Sequence, residues 1–122
     1  MIYGRFRDRF PRIPLTLALQ SGRYQTLDFV LDTGFEGDLI IPPDLLPSLE
    51  AVHLGEHPFA LADQTRRECP VYELRLDWDG EERRVEAVIM EGRPLVGIGV
   101  LLDNLIEIEM TEGGGISVAS LG

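Results

Sequence analysis

The sequence predicts an all-β domain of about ten short strands with little helix, folded as a sandwich or barrel. Three observations predict it. Thirteen Gly and eight Pro in 122 residues punctuate the chain too often for a helical bundle. Apolar residues alternate in Leu15-Thr16-Leu17-Ala18-Leu19 and from Leu105 to Met110, the period of a half-buried strand. Asp79-Gly80 stands between two alternating runs, a strong short-range signal for a hairpin.

Taken in order, Met1 to Arg12 shows no clean period and is followed closely by Pro14. Leu15 to Leu19 reads as a strand, Ser21-Gly22 as a turn, and Tyr24 to Leu31 as the returning strand. Asp32-Thr33-Gly34 interrupts the apolar run, and Asp38 to Ile41 resumes extended structure until Pro42-Pro43 stops it. Pro43 to Leu46 suits the start of a short helix. Phe59 to Ala62 and Arg66 to Cys69 read as two arms of a hairpin with its tip at Asp63-Gln64. Val71 to Trp78 and Glu81 to Met90 form a longer one. Leu95-Val96-Gly97 is a short apolar run, Val100 to Asn104 suits one or two helical turns, and Gly113-Gly114-Gly115 separates the last two strands.

Charge and composition exclude several classes of function. Eleven Lys plus Arg against 21 Asp plus Glu leave a net charge of −10, which repels nucleic acid and anionic membrane alike. Cys69 is the only cysteine, so no intrachain disulfide forms, and with His53 and His57 it makes a poor zinc set. Gly55 and Pro58 argue against a helix that would align the two histidines, which are expected on the surface. Met1 to Arg12 carries four Arg among aromatics, and no run of about 18 apolar residues occurs. The expectation is a cytoplasmic protein without signal peptide, membrane span, metal or cofactor.

Asp32 carries the strongest chemical signal. It follows Phe29-Val30-Leu31, where a strand end can hold a carboxylate rigidly against a cleft. Thr33 offers a hydroxyl that donates or accepts. Gly34 permits a close backbone approach. Asp-Thr-Gly alone is also an ordinary strand-ending turn, since Asp and Gly both favour turns. The Glu81-Glu82-Arg83-Arg84 cluster reads as a solvated hairpin end, and the three glycines at 113–115 lack the helix a phosphate loop requires.

The segment FVLDTGFEGDLII, Phe29 to Ile41, resembles the catalytic region of the retropepsin-like single-domain aspartic peptidases. There, two apolar residues precede Asp-Thr-Gly or Asp-Ser-Gly and an apolar strand follows. Three further elements fall in that family's order: a hairpin around Leu61-Ala62-Asp63-Gln64-Thr65 in the place of the flap, Leu95-Val96-Gly97 as the element beneath the catalytic loop, and a short helix after it. The resemblance spans about Pro14 to Val118. Phe35 stands where retroviral members usually have a small residue, as in bacterial and archaeal members of the clan. The flap tip lacks the usual glycines, and Ile98-Gly99 replaces a polar residue.

The resemblance implies a closed acid-protease barrel with one short helix over residues 1–122, and an aspartic endopeptidase acting on a peptide or protein substrate. Asp32, Thr33 and Gly34 are then the catalytic residues, and Leu61, Ala62, Asp63, Gln64 and Thr65 the substrate-binding flap. Hydrolysis of this type needs two carboxylates sharing one proton. Asp8, Asp28, Asp38, Asp44, Asp63, Asp77, Asp79 and Asp103 lack the Thr/Ser-Gly context. The second carboxylate is therefore expected from Asp32 of another chain, in a two-fold homodimer. Family resemblance points to the last strand, Ile116 to Leu121, as the dimer contact. The alternatives are a non-catalytic peptide-binding or dimerisation module of the same fold, and a small-molecule barrel in which Asp32 is structural.

Overall fold

The architecture, taken from a computed structural model that describes residues 1–60 and 63–122, is built almost entirely from strands. These are β1 (Ile2–Arg7), β2 (Phe10–Ala18), β3 (Tyr24–Leu31), β4 (Leu39–Ile41), β5 (Val52–Ala60), β6 (Arg66–Trp78), β7 (Glu81–Ile89), β8 (Leu95–Val96), β9 (Asn104–Ile108) and β10 (Gly115–Ser120). A 3-10 turn at Leu46–Leu49 and one helix, α1 (Ile98–Leu101), complete the described elements. No described helix is long and apolar enough to cross a membrane.

The strands lie in the order β5-β6-β7-β4-β8-β3-β2-β1-β10-β9. An additional pairing of β2 with β6, Thr16↔Asp77 to Ala18↔Arg75, closes six of them into a ring. The ring mixes parallel and antiparallel pairs and includes strands of two and three residues, so it is not a regular barrel. Alternate residues of β2, namely Ile13, Leu15 and Leu17, meet Phe29, Leu39, Leu76, Val96 and Val100 in the main apolar core. Burial of such side chains is the main favourable term in folding.

Two strands escape the sequence pattern for physical reasons. β1 and the start of β2 form a hairpin whose two-residue turn, Asp8-Arg9, has positive φ at both positions (53° and 70°) without glycine. The prolines of β2 fall where the ladder needs no donor. Pro14 lies between the end of β1 pairing at Arg12 and the start of β6 pairing at Thr16. Most of β5 is exposed on both faces, so its residues show no alternation, and a bulge between His53 and Gly55 breaks its register. His53 and His57 sit exposed on this strand. The long hairpin forms as predicted, with Trp78 opposite Glu81 across Asp79-Gly80. The short helix begins at Ile98, directly after Gly97, rather than at Val100. The helical turn expected at Pro43 lies slightly later, at Leu46–Leu49.

The last strand does not have the free edge expected of a dimer contact. β10 is flanked by β1 on one side and β9 on the other, both antiparallel.

Glu50 ends the 3-10 turn in a left-handed conformation (φ 52°) and ties it to the β2–β3 turn. Its carboxylate accepts from Arg23 Nη2 (2.9 Å), from the Ser21 N–H (2.8 Å) and from Ser21 Oγ (3.0 Å). The Arg23 guanidinium, with the Ser21 donors, holds this carboxyl below its usual value. A carboxyl lowered in the folded state stabilises above its unfolded pKa, and that contribution is lost as pH falls. Glu50→Gln is therefore expected to lower the melting temperature at neutral pH and to narrow its gap from wild type between about pH 5 and 3. Thermal melts across that range check it.

Candidate active site

β3 and β4 are consecutive in sequence, yet β8 lies between them in the sheet. The connection from Asp32 to Asp38 must therefore cross the end of β8. Val30 and Leu31 pair parallel with Leu95 and Val96, and Leu39 and Ile40 pair antiparallel with the same two residues. This geometry puts Asp32 at the end of a buried strand, partly buried itself, with its N–H donating to Val96 O at 3.0 Å. Its side chain is aimed by its own loop: the Gly34 N–H donates to Asp32 Oδ1 at 2.9 Å. Thr33 and Gly34 are exposed beside it. The sequence-predicted trio is thus one contiguous surface loop.

The loop is bound to α1 by main-chain hydrogen bonds. Ile98 N donates to Phe35 O (2.8 Å), Gly99 N to Gly37 O (3.0 Å), and Gly97 N to Asp38 O (2.8 Å). These carbonyls satisfy helix N–H groups that have no partner within the helix. Asp38 adds a side-chain tie, its Oδ2 accepting from the Glu86 N–H at 3.0 Å. Arg83 donates to the carbonyls of Gly99 (3.4 Å) and Val100 (3.3 Å), and Asn104 Nδ2 to those of Leu101 (3.2 Å) and Leu102 (3.0 Å). Polar support that Ile98-Gly99 lacks is supplied from β7 and from the helix end. Asp38→Ala is expected to cost about 1 kcal/mol, the usual worth of such a bond, read as a shift in the urea midpoint at constant m.

An apolar wall includes part of the Asp32 loop. Ile40, Cys69, Val71 and Val88 form a second buried cluster, and the partly buried Phe35, Phe59, Met90 and Leu95 pack against it. Phe35 belongs to the Asp32 loop, Leu95 to the strand beneath it, and Phe59 and Cys69 to the two arms of the β5–β6 hairpin. The sequence reading places these four residues in separate segments; only the β5–β6 pairing and the end of β7 bring Phe59 and Met90 to Phe35 and Leu95.

The hairpin predicted as a flap exists, with Ala60 opposite Arg66. Leu61 and Ala62 lie outside the described residues. At the tip, Asp63 Oδ1 accepts from Thr65 Oγ1 (2.6 Å) and the Thr65 N–H (3.0 Å), while Gln64 takes a left-handed conformation (φ 68°). Those Thr65 donors hold the Asp63 carboxyl below its usual value. The side-chain bond replaces glycine as the means of turning the chain. Two grooves of about 490 and 470 Å³ lie elsewhere, one by Trp78, Arg83 and Leu102 and one by Tyr3, Arg7 and Arg12; neither includes Asp32.

No family model matches the chain, and no curated protein resembles it in sequence. Solved structures do resemble it. The EIAV protease complexed with the inhibitor HBY-793 superposes with a TM-score of 0.63 at 12% identity, covering 79% of this chain and 88% of that one. The fold is retropepsin-like. A retropepsin-like aspartic protease from Rickettsia conorii matches with a TM-score of 0.54 at 15% identity, over 98% of this chain and 90% of that one. Within the retropepsin-like fold, the crossing of the Asp32 loop over β8 and the β5–β6 hairpin are the features that position the candidate site.

Proposed function

We propose that this chain is an aspartic endopeptidase that works as a homodimer, with Asp32 of each subunit at one shared site. The observation that supports it is the exposed Asp-Thr-Gly loop, aimed by Gly34, pinned over β8 and flanked by the Phe35–Phe59–Met90–Leu95 wall. The chain carries one Asp-Thr-Gly, so the chemistry requires the Asp32 of a two-fold mate. Between the pair, one carboxylate takes the proton of an attacking water while the other, protonated, donates to the substrate carbonyl oxygen. Thr33 would brace the paired loops across the axis. The exposed flank of Gly34 would let a substrate backbone come close. An extended peptide would lie as an added strand under the β5–β6 hairpin, its apolar side chains against the wall.

Cleavage of a peptide library by wild type and by Asp32→Asn tests this. The substitution keeps shape and removes the acid–base group, so turnover is expected to fall at least about a thousandfold. Equal turnover in the two proteins would refute the assignment.

A further inference from the structure

All eleven basic residues of the chain are arginines, and four of them, Arg5, Arg7, Arg9 and Arg12, fall on the β1–β2 hairpin. Three of the four line one groove. Arg5 stands opposite Gly115 of β10 on one side and Arg12 of β2 on the other, with Arg7 two residues along β1. Together with Tyr3 and Asp28 they border a volume of about 470 Å³, within the range of a small-molecule site. Gly115 sets no side chain beside Arg5, which leaves the floor open. Arg7 is fixed by Asp28, its Nη2 donating to Oδ2 at 2.7 Å. Arg12 is fixed by its Nε, which donates to Arg7 O at 3.1 Å, and by the Phe10 ring, 5.7 Å from its guanidinium. The carboxylate of Asp8 is 4.0 Å from Arg12, beyond hydrogen-bond reach. Arg5 donates to Gly113 O at 3.3 Å and forms no ion pair among the described residues. Three guanidiniums thus share this groove with one carboxylate, in a protein whose net charge is −10.

We propose that this groove binds a compact oligophosphate carried on a flat ring, a ligand of the nucleoside diphosphate class. A guanidinium presents paired N–H donors that match phosphate oxygens two at a time. Arg5 and Arg12, whose donors have no anion in hydrogen-bond reach, take the phosphates, and Arg7, already oriented by Asp28, closes the third side. Tyr3, 67% exposed at the groove's rim, offers its ring face to the base. The acidic surroundings set the size of the ligand. Glu112 Oε1 accepts from the Asp8 N–H (2.9 Å), Glu109 Oε1 accepts from the Gly115 N–H (2.8 Å), and Glu107 lies beyond Tyr3. Charges more than about 8–10 Å away are largely screened at physiological salt, so a compact anion in the groove feels the arginines first. A nucleic-acid strand or an anionic membrane extends past them onto these carboxylates and is repelled. The groove does not include Asp32, and the inference does not rest on the peptidase reading.

Calorimetric titration of the protein with ADP and with pyrophosphate tests the site. Both are expected to bind, with an affinity that falls as sodium chloride is added. Arg5→Gln and Arg12→Gln are each expected to weaken ADP binding at least about tenfold, the usual worth of a charge-assisted pair. Arg84→Gln, an exposed arginine on the β6–β7 hairpin, leaves it unchanged. Tyr3→Ala is expected to weaken ADP about fivefold and pyrophosphate not at all. In wild type, the amide resonances of Gly4 and Gly115 shift as pyrophosphate is added while those of β5 stay in place, which locates the site without any substitution. Failure of both ligands to bind, or binding that survives both arginine substitutions, overturns the proposal. Tyr3→Ala protein that holds ADP as tightly as wild type overturns the ring contact. A single-stranded oligonucleotide or a phosphatidylserine vesicle that binds more tightly than ADP overturns the assignment to a compact ligand.

Discussion

Co-refolding wild-type chains with a roughly ninefold excess of Asp32→Asn chains is expected to lower the activity of the wild-type chains about tenfold, because each then meets another wild-type chain in only about one dimer in ten. The expectation follows from the position of Asp32. It lies at the end of β3, pinned to β8, and the remaining acidic residues of the protomer lack its Thr-Gly context. Asn preserves the acceptor that receives the Gly34 N–H, so the variant loop keeps its shape and pairs as wild type does. What a mixed dimer lacks is one of two interacting carboxyls, and a dyad with a single ionisable member cannot both accept and donate a proton. The control is an equal excess of an unrelated protein, which should leave the activity of the wild-type chains untouched. Native mass spectrometry counts the mixed dimers directly. Mixed dimers present in the expected proportion, with activity unchanged, would show that one Asp32 suffices.

The parts of this fold legible in the sequence are those in which one face is buried. β3 is read from Tyr24 to Leu31 with its true bounds, and the β6–β7 hairpin from its Asp-Gly turn. β1 and most of β5 are not legible. The first turns through Asp8-Arg9, two residues of positive φ that carry no glycine signal, and the second is solvated on both faces. Asp-Thr-Gly is legible as a loop, but its rigidity is not. The crossing over β8 joins residues some sixty positions apart, and no local period records which strand lies between β3 and β4. Asp38 illustrates the gap: it stands within the quoted motif segment, and only the parallel pairing of β4 with β7 reveals that its carboxylate receives the Glu86 N–H. The last strand is the clearest divergence. Analogy makes it a candidate dimer contact, but the chain folds β1 and β9 onto both edges of β10, which leaves that strand no free edge.

Gly97→Ala is expected to destabilise the protein by about 2–3 kcal/mol, a drop of roughly 10 °C in melting temperature for a chain of this size, and to abolish most activity. The cause is the crossing of the loop over β8. A methyl on Gly97 would overlap the Gly37 carbonyl oxygen and come within 2.5 Å of Phe35 Cδ2 and 2.6 Å of Phe35 O. Neither carbonyl is free to withdraw, since Phe35 O accepts from Ile98 N and Gly37 O from Gly99 N. Relief requires lifting the whole loop, which breaks both bonds and moves Asp32 with it. Gly34→Ala separates the two consequences. Its methyl would meet only Asp32 Oδ1, at 3.2 Å, a side-chain atom that can rotate. Stability should change by less than about 1 kcal/mol, while the carboxylate turns from its aimed position and turnover falls. Thermal melts paired with peptide turnover distinguish the two glycines. A Gly97→Ala protein as stable as wild type would show that the loop rides freely over β8, and the argument that β8 holds Asp32 in place would fail with it.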